Sequence, residues 1–291
     1  MIIIDMNQIA LASVMMQLRM DETKQVDEGM VRHMILNSIR NYVMQFKSEY
    51  VENDADVILA WDSKHYWRRD YYPQYKASRR KGRQESDLDW NEIFGVTNKI
   101  RDEIKENLPY KSVEVYGAEA DDIIAVVSNS YSEAGKNPIF LDKVMIVSSD
   151  KDFIQLHKEN VKQWSPVTKQ EVSGHDPDTY IKEHVLRGDS GDGVPNVLSP
   201  DHTFTDGLRQ KPLGKKRIEK MINENMSDWN DEVKRNYQRN YKLINLKNIP
   251  KDIESNIIDE VDKSSCGDRS KLLNYFTVNK LKTLTENIGD F

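Results

Sequence analysis

Ile2–Asp5, read IIID, decides the fold: three consecutive isoleucines are closed by one carboxylate. A short β-branched run without alternation reads as a strand buried on both faces, and such strands belong to parallel sheets. Val57–Asp62 (VILAWD) repeats the pattern, and Val144–Asp150 (VMIVSSD) repeats it again. Between the first two runs lie Met34, Ile35, Ile39, Val43 and Phe46 at helical spacing. Residues 1 to 62 therefore read as strand, helix, strand, with the crossover that a parallel pair needs. Strands of an open parallel sheet bring their carboxyl ends to one crevice. The expectation is that Asp5, Asp62 and Asp150 stand side by side there.

Outward from this unit, residues 88–108 read as an amphipathic helix with Trp90, Ile93, Phe94, Ile100 and Ile104 on its core face. Val113–Tyr116 reads as a short strand, Ala120–Ala134 as a helix ended by Gly135, and Lys143–Ser148 as another buried strand. A hairpin is expected near Val161–Val172, around a Ser-Pro turn. After Tyr180 the pattern changes to helices broken by glycine: Ile181–Leu186, an irregular insertion at 199–212, then a helix behind Gly214 running to about Asn223. From Asp228 the chain reads as charged and helical, with apolar stretches at Tyr241–Leu246 and Leu272–Phe276 that suit packing on the main body. The fold class is α/β, a central and mostly parallel sheet flanked by helices.

At 291 residues and 38% hydrophobic content the chain can bury a full core. The single Cys266 excludes an internal disulfide framework and fits a reducing cytoplasm. No apolar run approaches the roughly 18 to 20 residues that span a bilayer, and MIIID lacks the basic start of a signal peptide. The expectation is a soluble, intracellular, monomeric protein with no membrane partner. His33, His65, His157, His175, His184 and His202 show no zinc-type spacing with cysteine, and most read as ordinary surface or core residues.

Two further motifs add acids to the crevice: GAEADD supplies Glu119, Asp121 and Asp122, and GDSGDG supplies Asp189 and Asp192. With Asp5, Asp62, Asp150 and Asp152 they make nine carboxylates, which repel one another unless cations sit among them. Hard oxygen ligands select Mg2+, with Mn2+ able to substitute. In a regular helix Glu119 and Asp122, three apart, share a face and Asp121 points elsewhere. A lone strand-terminal aspartate is more often a cap or turn residue, but five such sites reverse those odds. Read alone, the Asp150–Asp152 pair suits a haloacid-dehalogenase-type phosphatase, yet Phe153 and Ile154 follow where that motif wants a threonine.

The formal charge of −6 argues at first against nucleic acid, but neutralising the nine acids turns it to +3. Lys64 to Arg83 holds eight Lys or Arg and one acid, Asp70. There Tyr66, Trp67, Tyr71, Tyr72 and Tyr75 alternate with Arg68, Arg69, Lys76, Arg79, Arg80, Lys81 and Arg83. Aromatic faces stack on unpaired bases while Arg and Lys hold phosphates, the usual way single strands are bound. Gly188, Gly191, Gly193 and Gly214, the last followed by Lys215 and Lys216, allow backbone amides to approach phosphates.

In this order the motifs resemble the flap endonuclease family of structure-specific 5′ nucleases, above all its phage ribonuclease H branch. The resemblance runs through IIIDMNQIALAS, MVRHMILNSIR, YWRRDYYPQYKASRRKGR, GAEADDIIA, VSSDKDFIQLHK, VKQWSP and GDSGDGV. It implies a PIN/5′-nuclease-like fold. Residues 1–180 would form the core, with a helical arch at about 64–89; 181–225 would form a helix–three-turn–helix region, and 226–291 a helical C-terminal region. It implies two metal clusters, Asp5, Asp62, Glu119 and Asp122 with Asp150 at the boundary, then Asp152, Asp189 and Asp192. Asp121 joins as a further metal-site residue. Asp5, Asp62, Asp122, Asp150, Lys76 and Arg79 would carry catalysis by two Mg2+ ions, with Lys76 and Arg79 steering the phosphate. DNA would be gripped by Tyr75, Lys76, Arg79, Arg80, Lys81, Arg83, Gly193, Gly214, Lys215 and Lys216. Implied substrates are RNA–DNA hybrids, DNA 5′ ends, and 5′ flaps or forks in phage replication, with a single-strand-binding protein and a sliding clamp as partners. The first strand begins at residue 2, so no arm before it is carried over from relatives.

Overall fold

A computed structural model describes residues 1–21, 24–134, 143–174, 176–264 and 266–291. Among the described residues six strands form one sheet: β1 (Ile2–Asp5), β2 (Val57–Trp61), β3 (Lys111–Glu114), β4 (Val144–Val147), β5 (Val161–Ser165) and β6 (Gln170–Glu171). Their order is β3-β2-β1-β4-β5-β6. Every pairing is parallel except the β5–β6 hairpin. Register sets Asp5 of β1 against Ala60 of β2, and Ile4 against Val147 of β4. The carboxyl ends of β1, β2 and β4 thus open on one edge, as the three aspartate-closed runs require.

The helices are α1 (Met6–Met20), α2 (Glu28–Tyr50), α3 (Trp67–Tyr71), α4 (Ala77–Gln84), α5 (Trp90–Asn107), α6 (Ala120–Ala134), α7 (Pro177–Arg187), α8 (Lys215–Asn223), α9 (Asp231–Ile244), α10 (Lys251–Lys263), α11 (Ser270–Val278) and α12 (Lys282–Glu286). Successive strand residues point to opposite covers. Ile2, Ile4, Val57 and Leu59 face α1, α2 and α5, with Leu272 and Phe276 of α11 closing that core. Ile3, Ile58 and Ala60 face Ile123, Ile124 and Val127 of α6 and Ile253 and Ile257 of α10. Burying both faces accounts for the unbroken apolar runs.

The segment between β1 and β2 holds two helices where one was expected. Asp27 starts the second by accepting from the Met30 amide. Helix α1 buries Ile9, Ala10, Ser13, Val14, Gln17 and Leu18, a helical stripe diluted by small and polar residues. In α5 only Ile93, Ile100 and Ile104 are buried. Phe94 is exposed and Trp90 half-buried, and the Arg83 guanidinium lies over both rings at 5.2 and 5.8 Å. β3 starts at Lys111 and ends before Val115. The hairpin and the helix behind Gly214 are as read, and residues 199–212 form turns with neither helix nor strand. Gly135 and His175 lie outside the described residues. Among those described, no helix is long and apolar enough to cross a membrane.

Candidate metal centre and nucleic-acid interface

Asp5 closes β1 and caps α1, accepting from the Gln8 amide and, at 2.9 Å, from Ser148 Oγ. Burial, then the nearby Asp62, push its carboxyl up to about 6. Asp62, just past β2, accepts from the Ala120 amide at 2.7 Å, the first turn of α6, where the helix dipole favours an acid. Burial still raises it, against the pull of Lys76. Asp150, exposed past β4, accepts from the Asp152 amide. Gln163 of β5 fixes this turn by donating to the carbonyls of Ser148 and Asp150. Asp121 is half-buried on the same side, and burial with its neighbour Asp150 pushes it well above the carboxylate range.

A second group lies across the crevice. Asp152, Asp189 and His184 each offer one ligand atom, all within 4.8 Å of one another. Burial raises Asp152 to about 7 despite His184, and Asp150 and Asp189 add to the rise. Asp189 goes the other way: against its burial, His184 and the Asp192 and Gly191 amides hold it below its usual range.

The basic segment reaches into this acid. Lys76 Nζ meets Glu119 Oε1 at 2.6 Å and Asp192 Oδ2 at 3.6 Å, with the lysine side chain only 10% exposed. Burial opposes its charge, but Glu119 and Asp192 more than offset that and raise its pKa. Arg79 pairs with Asp192 at 2.5 Å and donates to the Gly191 carbonyl. Tyr75 OH donates toward Asp192 at 2.7 Å and Glu119 at 3.2 Å. Lys76 has a left-handed backbone, φ 55°, at the start of α4, and its amide donates to the Asp192 carbonyl. Gly193 makes this docking possible: a Cβ there would lie 3.1 Å from the Gln74 carbonyl oxygen. Arg80 and Lys81 stay exposed on α4, as do Gly214, Lys215 and Lys216 at the start of α8.

Several sequence expectations change. Asp121 faces the acid cluster, and Asp122 is the residue turned away, fully buried against Arg68 at 2.8 Å and the Trp67 indole at 3.2 Å. Glu119 stands just before α6, and Asp122 reaches back to accept from its amide at 3.0 Å, one half of a capping box. Glu119 and Asp122 share a face, as their spacing predicts, but that face meets Arg68, which donates to both at 2.9 Å, and Asp121 is the one left facing the other acids. Tyr75, expected to stack on bases, is buried, so its ring offers no face to a base in this state. Arg68 and Tyr72 are buried as well, with Arg68 donating to the Leu243 carbonyl. Gly193 serves the contact between two protein segments here, not an open phosphate cradle.

Comparison with known proteins agrees with this geometry. Residues 1–185 match the family described as 5′-3′ exonuclease, N-terminal resolvase-like domain, and residues 175–291 match T4 RNase H, C terminal. The chain is 34% identical to the ribonuclease H of Enterobacteria phage T4, an alignment covering 99% of this chain and 95% of that protein. The chain belongs to the 5′-3′ exonuclease family. A flap endonuclease Xni of Shewanella is 28% identical over 50% of this chain and 54% of its own length. The bacteriophage T5 5′-exonuclease with bound zinc shares the fold with a TM-score of 0.63 at 14% identity, covering 91% of this chain and 98% of that one. The T5 flap endonuclease in complex with DNA and metal ions does so with a TM-score of 0.61 at 14% identity, over 90% and 99%.

In this 5′-3′ exonuclease the residues that sequence reasoning missed hold the acids in place: Asn7, whose Oδ1 accepts from the Asp62 amide, Gln8, Ser148 and Gln163. Asn7 and Gln8 lie two and three residues after Asp5, and Ser148 two before Asp150, so closeness in sequence to the acids was an available signal. His184 carried none: Asp189 lies five residues on, but Asp152 comes from a distant part of the chain. The donor set fits divalent cations: Asp5, Asp62, Asp121 and Asp150 are hard oxygen donors with no ion pair to Lys, Arg or His among the described residues, and Asp152 lies 3.6 Å from His184. Burial raises the pKa of Asp5, Asp62, Asp121 and Asp152, and neighbouring acids add to the rise, as expected of crowded negative charge that a divalent cation would relieve.

Proposed function

We propose that this nuclease hydrolyses phosphodiesters from 5′ ends, removing RNA from RNA–DNA hybrids and cutting DNA at 5′ ends, flaps and forks during phage replication. The observation that carries the reading is the acid crevice at the ends of β1, β2 and β4 with Lys76 and Arg79 lodged at its rim. Asp5, Asp62, Asp121 and Asp150, with Glu119, would hold one Mg2+, and Asp152, Asp189 and Asp192 a second, with Mn2+ able to substitute. When bound, two such ions lower the pKa of a water, clamp the scissile phosphate and stabilise the leaving 3′ oxygen. The chain's own part is positional, and no side chain need act as nucleophile.

Glu119 and Asp192 hold Lys76 and Arg79 where a phosphate would displace them from their carboxylates. The exposed Arg80 and Lys81 on α4, with Arg83 beside them, follow a single strand at the rim. Gly214, Lys215 and Lys216 present a helix start and two cations to the backbone of a duplex, gripping without reading sequence. Residues 1–180 act as the catalytic core with the arch at 64–89, 181–225 as the duplex grip and 226–291 as the helical region packed on the core. The setting is lagging-strand primer removal by a monomer in the host cytoplasm, alongside a single-strand-binding protein and a sliding clamp.

Cleavage of a labelled 5′ flap, blunt duplex and RNA–DNA hybrid, in Mg2+ and then in excess chelator, tests the reading. Short 5′ products that require metal support it, and their lengths separate exonuclease from flap cutting. Structure-selective binding without cleavage in either Mg2+ or Mn2+ would leave a DNA-binding protein that lacks the chemistry.

A further inference from the structure

The second acid group contains a nitrogen that its motif does not account for. His184 stands on the last turn of α7, with Nε2 3.6 Å from Asp152 Oδ1 and 3.5 Å from Asp189 Oδ2. Nε2 is closed off from solvent and has no hydrogen-bond partner. The other ring nitrogen, Nδ1, lies 3.1 Å from Tyr180 OH, and the two rings pack at 5.5 Å between centroids. One side of the imidazole is therefore anchored, and the other is aimed between two carboxylates.

The distances are long for hydrogen bonds. They suit atoms that share an ion: two ligands each about 2.1 Å from one cation, at tetrahedral or octahedral angles, lie about 3.0–3.4 Å apart. Nδ1 held by a hydroxyl is also how metal-bound imidazoles are commonly oriented. We propose that His184 Nε2 is a ligand, together with Asp152 and Asp189, for the cation of this half of the centre. It makes that half a mixed nitrogen–oxygen site favouring Mn2+, Co2+ or Zn2+, because imidazole suits transition ions while Mg2+ prefers oxygen alone. The proposal rests on the two-metal reading above, and it departs from an all-carboxylate second cluster.

The test is pulsed EPR on the full-length protein loaded with up to two equivalents of Mn2+, unlabelled and labelled with 15N-histidine. The expected result is a histidine nitrogen coupling to Mn2+ that changes with the isotope and disappears in His184→Gln. Calorimetry should show one Mn2+ site of that variant weakened by about tenfold or more, with Mg2+ affinity changed less than about threefold. A melt in chelator checks that the variant folds, and the isotope experiment on the wild type needs no variant. Two bound Mn2+ without histidine coupling, or coupling that survives His184→Gln, would overturn the proposal and leave the nuclease reading intact. No Mn2+ binding at all would overturn both.

Discussion

Glu119 and Asp5 lie in the same acid crevice, both buried, yet their carboxyls are driven in opposite directions. At Glu119 burial is overcome by Lys76 and Arg68, and its pKa falls below the usual value. At Asp5 no cation answers, and burial with Asp62 lifts it to about 6. Asp121 and Asp152 follow Asp5. The chain thus neutralises one corner of its acid crevice with Lys76 and Arg68 and leaves the acids of the floor crowded. Repulsion in such a floor destabilises the free protein: a carboxyl raised from 3.8 to about 6 contributes roughly 3 kcal/mol against folding at neutral pH.

Breaking the corner should have the largest effect on substrate handling. Lys76→Ala is expected to slow cleavage of a 5′ flap about 100-fold while duplex binding changes less than about threefold, as measured by single-turnover kinetics and anisotropy. Equal losses would make Lys76 part of a general binding face. Asp122→Ala strikes the same corner from below. It leaves the buried Arg68 one carboxylate short and should destabilise the protein by about 3 kcal/mol, a fall in Tm of about 5–10 °C.

The floor is tested by pH. Asp5 and Asp152 bind protons in the folded state up to about pH 6 and 7, whereas an unfolded aspartate loses its proton near 4. Between those limits the folded state holds more protons, so stability should fall as pH rises from about 4.5 to 7.5. Glu119 has the opposite sign: its contribution is present above its unfolded value and is lost only in stronger acid. Melts in chelator should therefore give a higher Tm at pH 5.5 than at pH 8, and Mg2+ should reduce or reverse that difference. The same slope with and without metal would deny the floor its cations. The smallest effect belongs to the far end of the interface: Lys215→Ala and Lys216→Ala should each reduce the salt dependence of duplex binding by about one counterion, with cleavage of bound substrate unchanged.

The sheet was legible because burying a strand on both faces demands an unbroken apolar run, and the carboxylate that closes each run marks the edge where it ends. The helix behind Gly214 and the hairpin at the Ser-Pro turn followed from local backbone preferences. What depended on long-range contact was not legible. Charge and aromatic spacing made residues 64–83 look uniform, but Arg68, Tyr72 and Tyr75 pack inward while Arg79, Arg80 and Lys81 stay at the surface. His184 and Asp189 are near in sequence, but they meet Asp152 only because α7 returns past the end of β4. Helical phase correctly set Glu119 and Asp122 on one face and Asp121 on another, but only the buried Arg68, from a distant part of the chain, decides which face meets the other acids.

The Asp121–Asp122 pair offers the most direct test of whether the floor, and not the cation-filled corner, does the chemistry. The measurement is single-turnover cleavage of a labelled 5′ flap at saturating Mg2+ by the wild type, Asp121→Asn and Asp122→Asn proteins, at a temperature where all three are folded. Asp121→Asn is predicted to lose cleavage by about 1,000-fold or more while binding the flap normally, and Asp122→Asn to stay within about tenfold of the wild type. Full cleavage by Asp121→Asn, or loss in Asp122→Asn alone, would contradict the account.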